Sequence, residues 1–296
     1  MSASNTSERS LLVIGLGMIG GSVLHSARKH GSAERLLGFD ASDEVNQLAY
    51  EQGVVDNKPA PLEELLAQAS LVVLAVPPMA FARLFTELSR LGLSNDAVMT
   101  DVASVKRPVL NACQQFAPDL LPQFLPAHPI AGSEQSGLMA AKIDLFKQKK
   151  LILTPHADVS GDTAQRVARF WGGLDCLLAE LEPDLHDDLL ASTSHLPHVL
   201  AYVLVDSLLL HPEIDRLFEF AAGGFQDISR TASSDPTMWH DVFFCNKEYV
   251  LTAVDLFEKR LALFKAMVVE GDSQQLFDML STAKQGRDKY LAKYHS

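Results

Sequence analysis

A glycine turn constrains this chain more than any other feature. The apolar run Leu11-Leu12-Val13-Ile14 passes into Gly15-Leu16-Gly17-Met18-Ile19-Gly20 and then into a helical pattern from about Met18 to His30. In such a strand–turn–helix unit the first glycine permits the tight turn, the second lets backbone approach a pyrophosphate, and the third allows close packing of helix on strand. The helix start adds free N–H groups and partial positive charge. Glycine turns have many uses, so context decides. Here a strand precedes, a helix follows, and Asp40 ends a second strand about 20 residues on, where a carboxylate can accept from a ribose 2′-hydroxyl. Gly15, Leu16, Gly17, Met18, Ile19, Gly20 and Asp40 are therefore the expected dinucleotide site. A carboxylate at Asp40 repels a 2′-phosphate, and Ala41-Ser42 offers no cation to hold one, so NAD is expected rather than NADP.

Apolar strands and amphipathic helices alternate after that unit. Leu36–Phe39, Leu71–Ala75, Ala97–Thr100, Leu125–Ala127, Leu151–Leu153 and Cys176–Leu178 read as successive strands. Continuous apolar strands alternating with helices imply a parallel sheet covered on both faces. Val76 and Pro77, following the third apolar strand, fall at the C-terminal sheet edge where ligands bind, and are expected to line the cofactor. From Pro183 onward only helical periodicity remains. Val250, Val254, Phe257, Leu261, Phe264 and Val268 form one stripe, with Leu251, Leu256 and Leu263 outside it. A helix apolar on more than one side is buried all round or lies in a subunit interface. The expected architecture is an α/β Rossmann-type parallel-sheet domain over residues 1–181, with a frayed polar tail at 1–9. An all-α substrate and dimerisation domain over 182–296 follows.

Charge narrows the partners. The formal net charge is −12, which disfavours nucleic acid, since that needs clustered Lys and Arg. An anionic substrate would then need local positive charge at its site. The three cysteines are odd in number and far apart, so neither a metal site nor a disulfide framework is expected, and a reducing cytoplasm is. The run from Leu71 to Val76 meets Pro77-Pro78 and is too short to span a bilayer, so no membrane segment is expected.

Polar residues recur where loops leave the sheet edge. Asp101-Val102-Ala103-Ser104-Val105-Lys106 follows the fourth strand, and Ala127-His128-Pro129-Ile130-Ala131-Gly132-Ser133-Glu134 the fifth. In the helical part, Ser194-His195-Leu196-Pro197-His198 interrupts a helical run, and Gly223–Arg230 precedes Ser234-Asp235-Pro236 with Met238-Trp239. His25, His30, His156, His186, His211, His240 and His295 read as structural or surface groups. His128 stands apart, in a stiff Pro- and Gly-flanked segment at the expected catalytic edge.

These segments together resemble the prephenate/arogenate dehydrogenase family of tyrosine biosynthesis, over nearly the whole chain. The resemblance implies NAD(P)-dependent oxidative decarboxylation to 4-hydroxyphenylpyruvate or tyrosine. It also implies that His128 is the acceptor at the substrate C4 hydroxyl, a role suited to neutral histidine with a pKa near ~6.5. Ser104 would bond His128 or that hydroxyl, or would cap a helix beginning near Val105. The guanidinium fork of Arg230 would match a substrate carboxylate. His198 with Ser194 would contact the substrate side chain, with His195 as the alternative ligand. Glu134 and Asp227 are acidic beside an anion site, which implies an ion network with Arg230. Lys106 reads either as an anion neutraliser or as a solvated helix-start lysine, and Trp239 as a packing wall. The partners implied are a small anionic substrate and a second copy of the chain.

Two other readings compete. A β-hydroxyacid dehydrogenase would use a helical lysine, for which Lys247 and Lys259 are available without a matching glycine-rich motif. A non-catalytic NAD sensor would not need His128, Ser104 and Arg230 together. Prephenate and arogenate differ by a keto against an amino group, and no residue is identified that reads the difference.

Overall fold

The first strand, β1 (Glu8–Ile14), is buried at every position from Ser10 to Ile14. This computed structural model describes residues 7–294; the first six residues of the expected tail, and His295, lie outside them. The tail expectation fails at its end, because Glu8 and Arg9 belong to β1. Glu8 is fixed there by Arg166, at 2.6 Å, and by the Ser70 hydroxyl, at 2.9 Å.

β1 leads into α1 (Met18–His30), β2 (Ala33–Phe39), α2 (Asp43–Glu51) and α3 (Leu62–Leu66). There follow β3 (Leu71–Leu74), α4 (Phe81–Leu91), β4 (Val98–Asp101), α5 (Arg107–Phe116) and β5 (Phe124–Leu125). These five strands pair in parallel in the order β2-β1-β3-β4-β5. Strand order reverses between β1 and β3, the switch point at which such sheets open a ligand crevice. The two faces are covered separately. Val23, Leu24, Phe146, Phe170 and Trp171 pack on one side, and Phe81, Phe85, Val109, Phe124 and Trp239 on the other.

The expected fifth strand Leu125–Ala127 proves to be two. β5 stops at Leu125, and β6 (Ala127–Pro129) runs antiparallel to β7 (Lys150–Leu153) in a second sheet. After α6 (Gly161–Gly173), β8 (Leu177–Glu180) completes that sheet by pairing in parallel with β7. The chain changes sheets at Pro126, which has no N–H to give a ladder. The Pro126 carbonyl instead accepts from Thr154 N–H at 3.0 Å.

Helices then dominate: α7 (Pro183–Leu190), α8 (Leu196–Leu209), α9 (Ile214–Glu219), α10 (Gly223–Ser229) and α11 (Pro236–Cys245). Ser194–His198 does not break the helical run. A π-helical turn, Ala191–His195, joins α7 to α8, and Pro197 sits in the first turn of α8, where a missing N–H costs nothing.

Contacts divide the chain into two units, Met1–Lys247 and Glu248–Ser296. The second consists of most of α12 (Lys247–Glu270) and of α13 (Ser273–Tyr294), separated by Gly271 at φ +73°. The apolar stripe of α12 is largely open: Leu261 and Val268 are each 55% exposed, and Phe257 and Phe264 are also exposed. Among the described residues, no helix is long and apolar enough to cross a membrane.

Candidate active site

The glycine turn has the geometry its sequence requires. Gly15 adopts φ +99°, and a Cβ there would lie 2.3 Å from the Ala75 carbonyl oxygen, at the end of β3. A Cβ on Gly20 would lie 1.9 Å from the Gly15 carbonyl oxygen, so α1 can pack this close to β1 only without one. Gly17 is different, because a Cβ there would meet nothing within 4 Å. That open space fronts the start of α1, whose first turn has no side-chain cap and no acidic residue. Asp40 closes the turn from β2. One carboxylate oxygen accepts from Leu16 N–H at 2.8 Å and the other from Ser42 N–H at 3.0 Å. Met18 is buried and Ile19 packs against the core, so they hold the turn by their side chains. Open backbone N–H groups, a glycine cradle and an anchored carboxylate fit a dinucleotide. Val76 and Pro77 follow β3 at the same edge, and the next 3₁₀ turn is tied down by Met79 N–H donating to Asp241 at 3.2 Å.

His128 lies within β6, not in the loop after it, and is only 8% exposed. Burial, aided by His186, Lys106 and His195, holds its pKa well below the usual histidine value. The ring is therefore neutral at pH 7. Its place is set through its neighbour Ala127. The Ala127 N–H donates to Asp101 at 2.9 Å and its carbonyl accepts from Lys106 Nζ at 2.6 Å. Lys106 and Asp101 are themselves an ion pair with no exposed side-chain surface. Burial pushes the Asp101 pKa up and the Lys106 pKa down, each effect resisted by the partner. Both sequence readings of Lys106 are thus overturned: it is neither solvated nor a free anion ligand, but an internal tie between the two sheets.

Behind His128 stand two residues that the sequence reading passed over. His128 Nδ1 is 2.8 Å from His186 Nε2, and His186 Nδ1 is 2.7 Å from Asp187 Oδ1. Asp187 also accepts the backbone N–H groups of Lys106 and Arg107, at 2.8 and 2.9 Å. It, and not Ser104, caps α5, which begins at Arg107 and not near Val105. Ser104 is half-buried, and its hydroxyl makes no hydrogen bond to His128 among the described residues.

A second histidine is still more enclosed. His195 has no exposed surface, and burial lowers its pKa to about 4. Asn246 Nδ2 donates to the Asp187 carbonyl at 2.9 Å and faces His195 Nδ1 at 3.1 Å. His195 therefore carries its proton on Nε2, which has no hydrogen-bond partner among the described residues; the Ser104 backbone is the least of the influences on its pKa. His198 stacks on Trp239, ring centroids 3.5 Å apart, and its Nδ1 bonds the Ser194 carbonyl at 2.9 Å. Trp239 is a wall in this sense, although its buried Nε1 also lacks a partner among the described residues. Burial lowers the His198 pKa against the opposing Ser194 bond, and the charge of Arg230 adds to the lowering. Arg230 Nη1 and Glu134 Oε2 are 3.4 Å apart. Asp227 is exposed and makes no ion pair with Arg230 among the described residues, so the expected network reduces to one carboxylate.

With this geometry in view, family comparisons are decisive. The family model for the prephenate dehydrogenase nucleotide-binding domain matches residues 24–178, and that for the prephenate dehydrogenase dimerization domain matches residues 182–282. The chain belongs to the prephenate dehydrogenase family. The prephenate dehydrogenase of Bacillus subtilis is 34% identical over 288 residues, spanning 96% of this chain and 76% of that protein. The Aquifex aeolicus prephenate dehydrogenase, solved with hydroxyphenyl propionate and NAD+, superposes with a TM-score of 0.88 at 34% identity, covering 96% of this chain and 99% of that one. The Synechocystis arogenate dehydrogenase follows at 0.78 and 25% identity, covering 95% and 99%.

Proposed function

We propose that this member of the family catalyses NAD-dependent oxidative decarboxylation of prephenate, arogenate or both, as an oxidoreductase of tyrosine biosynthesis. The observation that carries the reading is the buried, neutral His128, held by a clamped Ala127 in a chain whose glycine turn fits a dinucleotide.

The backbone at Gly15, Leu16, Gly17, Met18, Ile19 and Gly20 would hold the pyrophosphate and Asp40 the adenosine ribose, with Val76 and Pro77 beside them. Because Asp40 is a carboxylate, NAD is favoured over NADP. The chemistry that NAD supplies when bound is acceptance of hydride from substrate C4. The chain's own task at that carbon is to take the proton of the C4 hydroxyl, and neutral His128 is placed for it. The product of oxidation is a vinylogous β-keto acid, and its loss of CO2 forms an aromatic ring, which makes turnover irreversible. Arg230 would meet a substrate carboxylate, with Glu134 orienting the guanidinium. His198, flattened on Trp239, and Ser194 would line the substrate side chain. Ser104 is open to contact the substrate hydroxyl directly, since it is not spent on His128. Asp227 would join the network only when a ligand or partner brings a cation to it.

The division of labour proposed is a dinucleotide domain over 1–181 and a substrate and dimerisation domain over 182–296. The exposed apolar residues of α12 and α13, among them Leu256 at 64%, Val269 at 76% and Phe277 at 65%, support a homodimer through that second part. Cytoplasmic location accords with three unpaired cysteines.

The test is direct: purified protein is mixed with NAD and either prephenate or arogenate while reduced nicotinamide is followed by absorbance. Turnover of at least one is expected. Failure with both sinks the reading.

A further inference from the structure

The proposed role of His128 raises a problem that the surrounding residues answer. Burial makes the ring neutral, which suits an acceptor, but it also makes the imidazolium that follows proton uptake costly. A neutral imidazole has one lone pair, and in water the proton prefers Nε2. An acceptor at Nε2 therefore needs its proton fixed on Nδ1, and needs somewhere to spread positive charge.

The hydrogen-bond directions behind the ring supply both. Asp187 is held by two backbone N–H donors at the start of α5, Lys106 and Arg107, which keep it an acceptor. It can only receive the proton of His186 Nδ1, at 2.7 Å. His186 is fully buried with a lowered pKa, mainly from burial, so it is neutral and its Nε2 is a lone pair. His128 Nδ1, 2.8 Å away, must then carry the proton and donate it. The free lone pair of His128 falls on Nε2. No reversed arrangement satisfies every member, because a donor at His186 Nε2 would need a cationic His186 inside the fold. The other titratable groups acting on these rings are Lys106 and neutral His195, and Asp101 beyond them.

We propose that His186 and Asp187 are positioning residues of the reaction: a relay that locks His128 as its Nδ1–H tautomer and stabilises the imidazolium formed at Nε2. The substrate proton goes to His128 Nε2 and departs later to solvent. The His128 Nδ1–H bond to His186 shortens in response. This inference rests on His128 being the acceptor.

The experiment uses the full-length enzyme and three readouts. In the native protein, nitrogen-15 NMR of the histidine rings at pH 7.5 should find His128 protonated on Nδ1 and His186 on Nδ1. A His128 protonated mainly on Nε2 overturns the proposal without any variant. His186→Leu removes the acceptor and should lower kcat by about 10²–10⁴-fold, comparable with the loss of a tautomer-setting carboxylate elsewhere, while leaving the Kd for NAD unchanged. His186→Gln, whose side-chain oxygen can accept near the former Nε2 position, should recover part of that kcat. A merely structural role predicts no such ordering, because leucine fills a buried site at least as well as glutamine. Equal kcat for the two folded variants, or near-native kcat in His186→Leu, counts against the relay. His128→Asn separates the layers: if it retains full kcat, the acceptor assignment itself fails, whereas an inactive His128→Asn beside an active His186→Leu refutes only the relay.

Discussion

Lys106 Nζ lies 2.5 Å from Asp101 Oδ2, and the side chains of both residues are wholly enclosed. A buried pair of this kind adds little stability against an apolar alternative, yet removing one member strands a charge. Lys106→Met should therefore destabilise the fold by about 3–5 kcal/mol, read as a shift in the urea midpoint. The double variant Lys106→Met/Asp101→Asn should regain part of the loss. A wild-type midpoint for the single variant would mean that the tie carries no weight.

Stability should also fall on the acid side. His195 is held at about 4, and His128 and His186 below their ordinary value, all chiefly by burial. Each folded pKa is lower than its unfolded counterpart, so the unfolded chain binds more protons as pH drops below about 6.5. The stabilising effect is complete above that range and is lost on the way down. His195 alone accounts for about 3 kcal/mol between neutrality and pH 4, from its displacement to about 4. Urea unfolding at stepped pH should show this slope, and His195→Gln should flatten it. A flat profile from pH 7 to 5 in the native enzyme contradicts the buried neutral state.

The two later glycines of the turn should separate folding from binding. Gly20→Ala places a methyl 1.9 Å from the Gly15 carbonyl oxygen and should lower the melting temperature. Gly17→Ala enters open space and should melt normally, while raising the Kd for NAD tenfold or more, a penalty of about 1.4 kcal/mol. Normal NAD binding by Gly17→Ala would move the pyrophosphate elsewhere.

At Arg230 the pairing with Glu134 is exposed on both sides, so it contributes little to folding. Arg230→Gln should leave the melting temperature alone and raise KM for the dianionic substrate with kcat largely kept. An unaltered KM removes Arg230 from the site.

Association should follow from the open faces of the last two helices. Sedimentation at micromolar concentration is expected to give a dimer, and Leu261→Glu, on an exposed position of α12, should shift it toward monomer. A monomeric native protein would leave that apolar surface unexplained.

Much of this was legible in the chain. Strands such as Leu71–Leu74 announce themselves because a run buried on both faces must be apolar throughout, and the glycine turn is specified by contacts within one strand–helix unit. What failed to show were relations across distance. Leu125-Pro126-Ala127 is uniformly apolar, so nothing local marks the change of sheet at its proline. His186 reads as a structural or surface group and Asp187 carries no local signal; only the Asp187 contacts with Lys106 and Arg107, some 80 residues away, set the pair apart. Lys106 was misjudged for a related reason, since a buried lysine is intelligible only once Asp101 and Ala127 are seen around it. The glycine turn could be read as a motif, whereas the residues proposed to handle the proton are defined by tertiary neighbours.

The passage of the chain through Pro126 has one further effect. The glycine turn proposed as the nucleotide cradle is built on the five-stranded sheet, and His128, the proposed proton acceptor, on the three-stranded one, so the two proposed halves of the chemistry rest on separate foundations. Changes that adjust the pitch of β6, and with it the ring of His128, need not disturb the register of β1 and β3. Descent with modification can then explore new acids on one foundation while the redox partner stays constant on the other, provided that the Lys106 tie between them is kept.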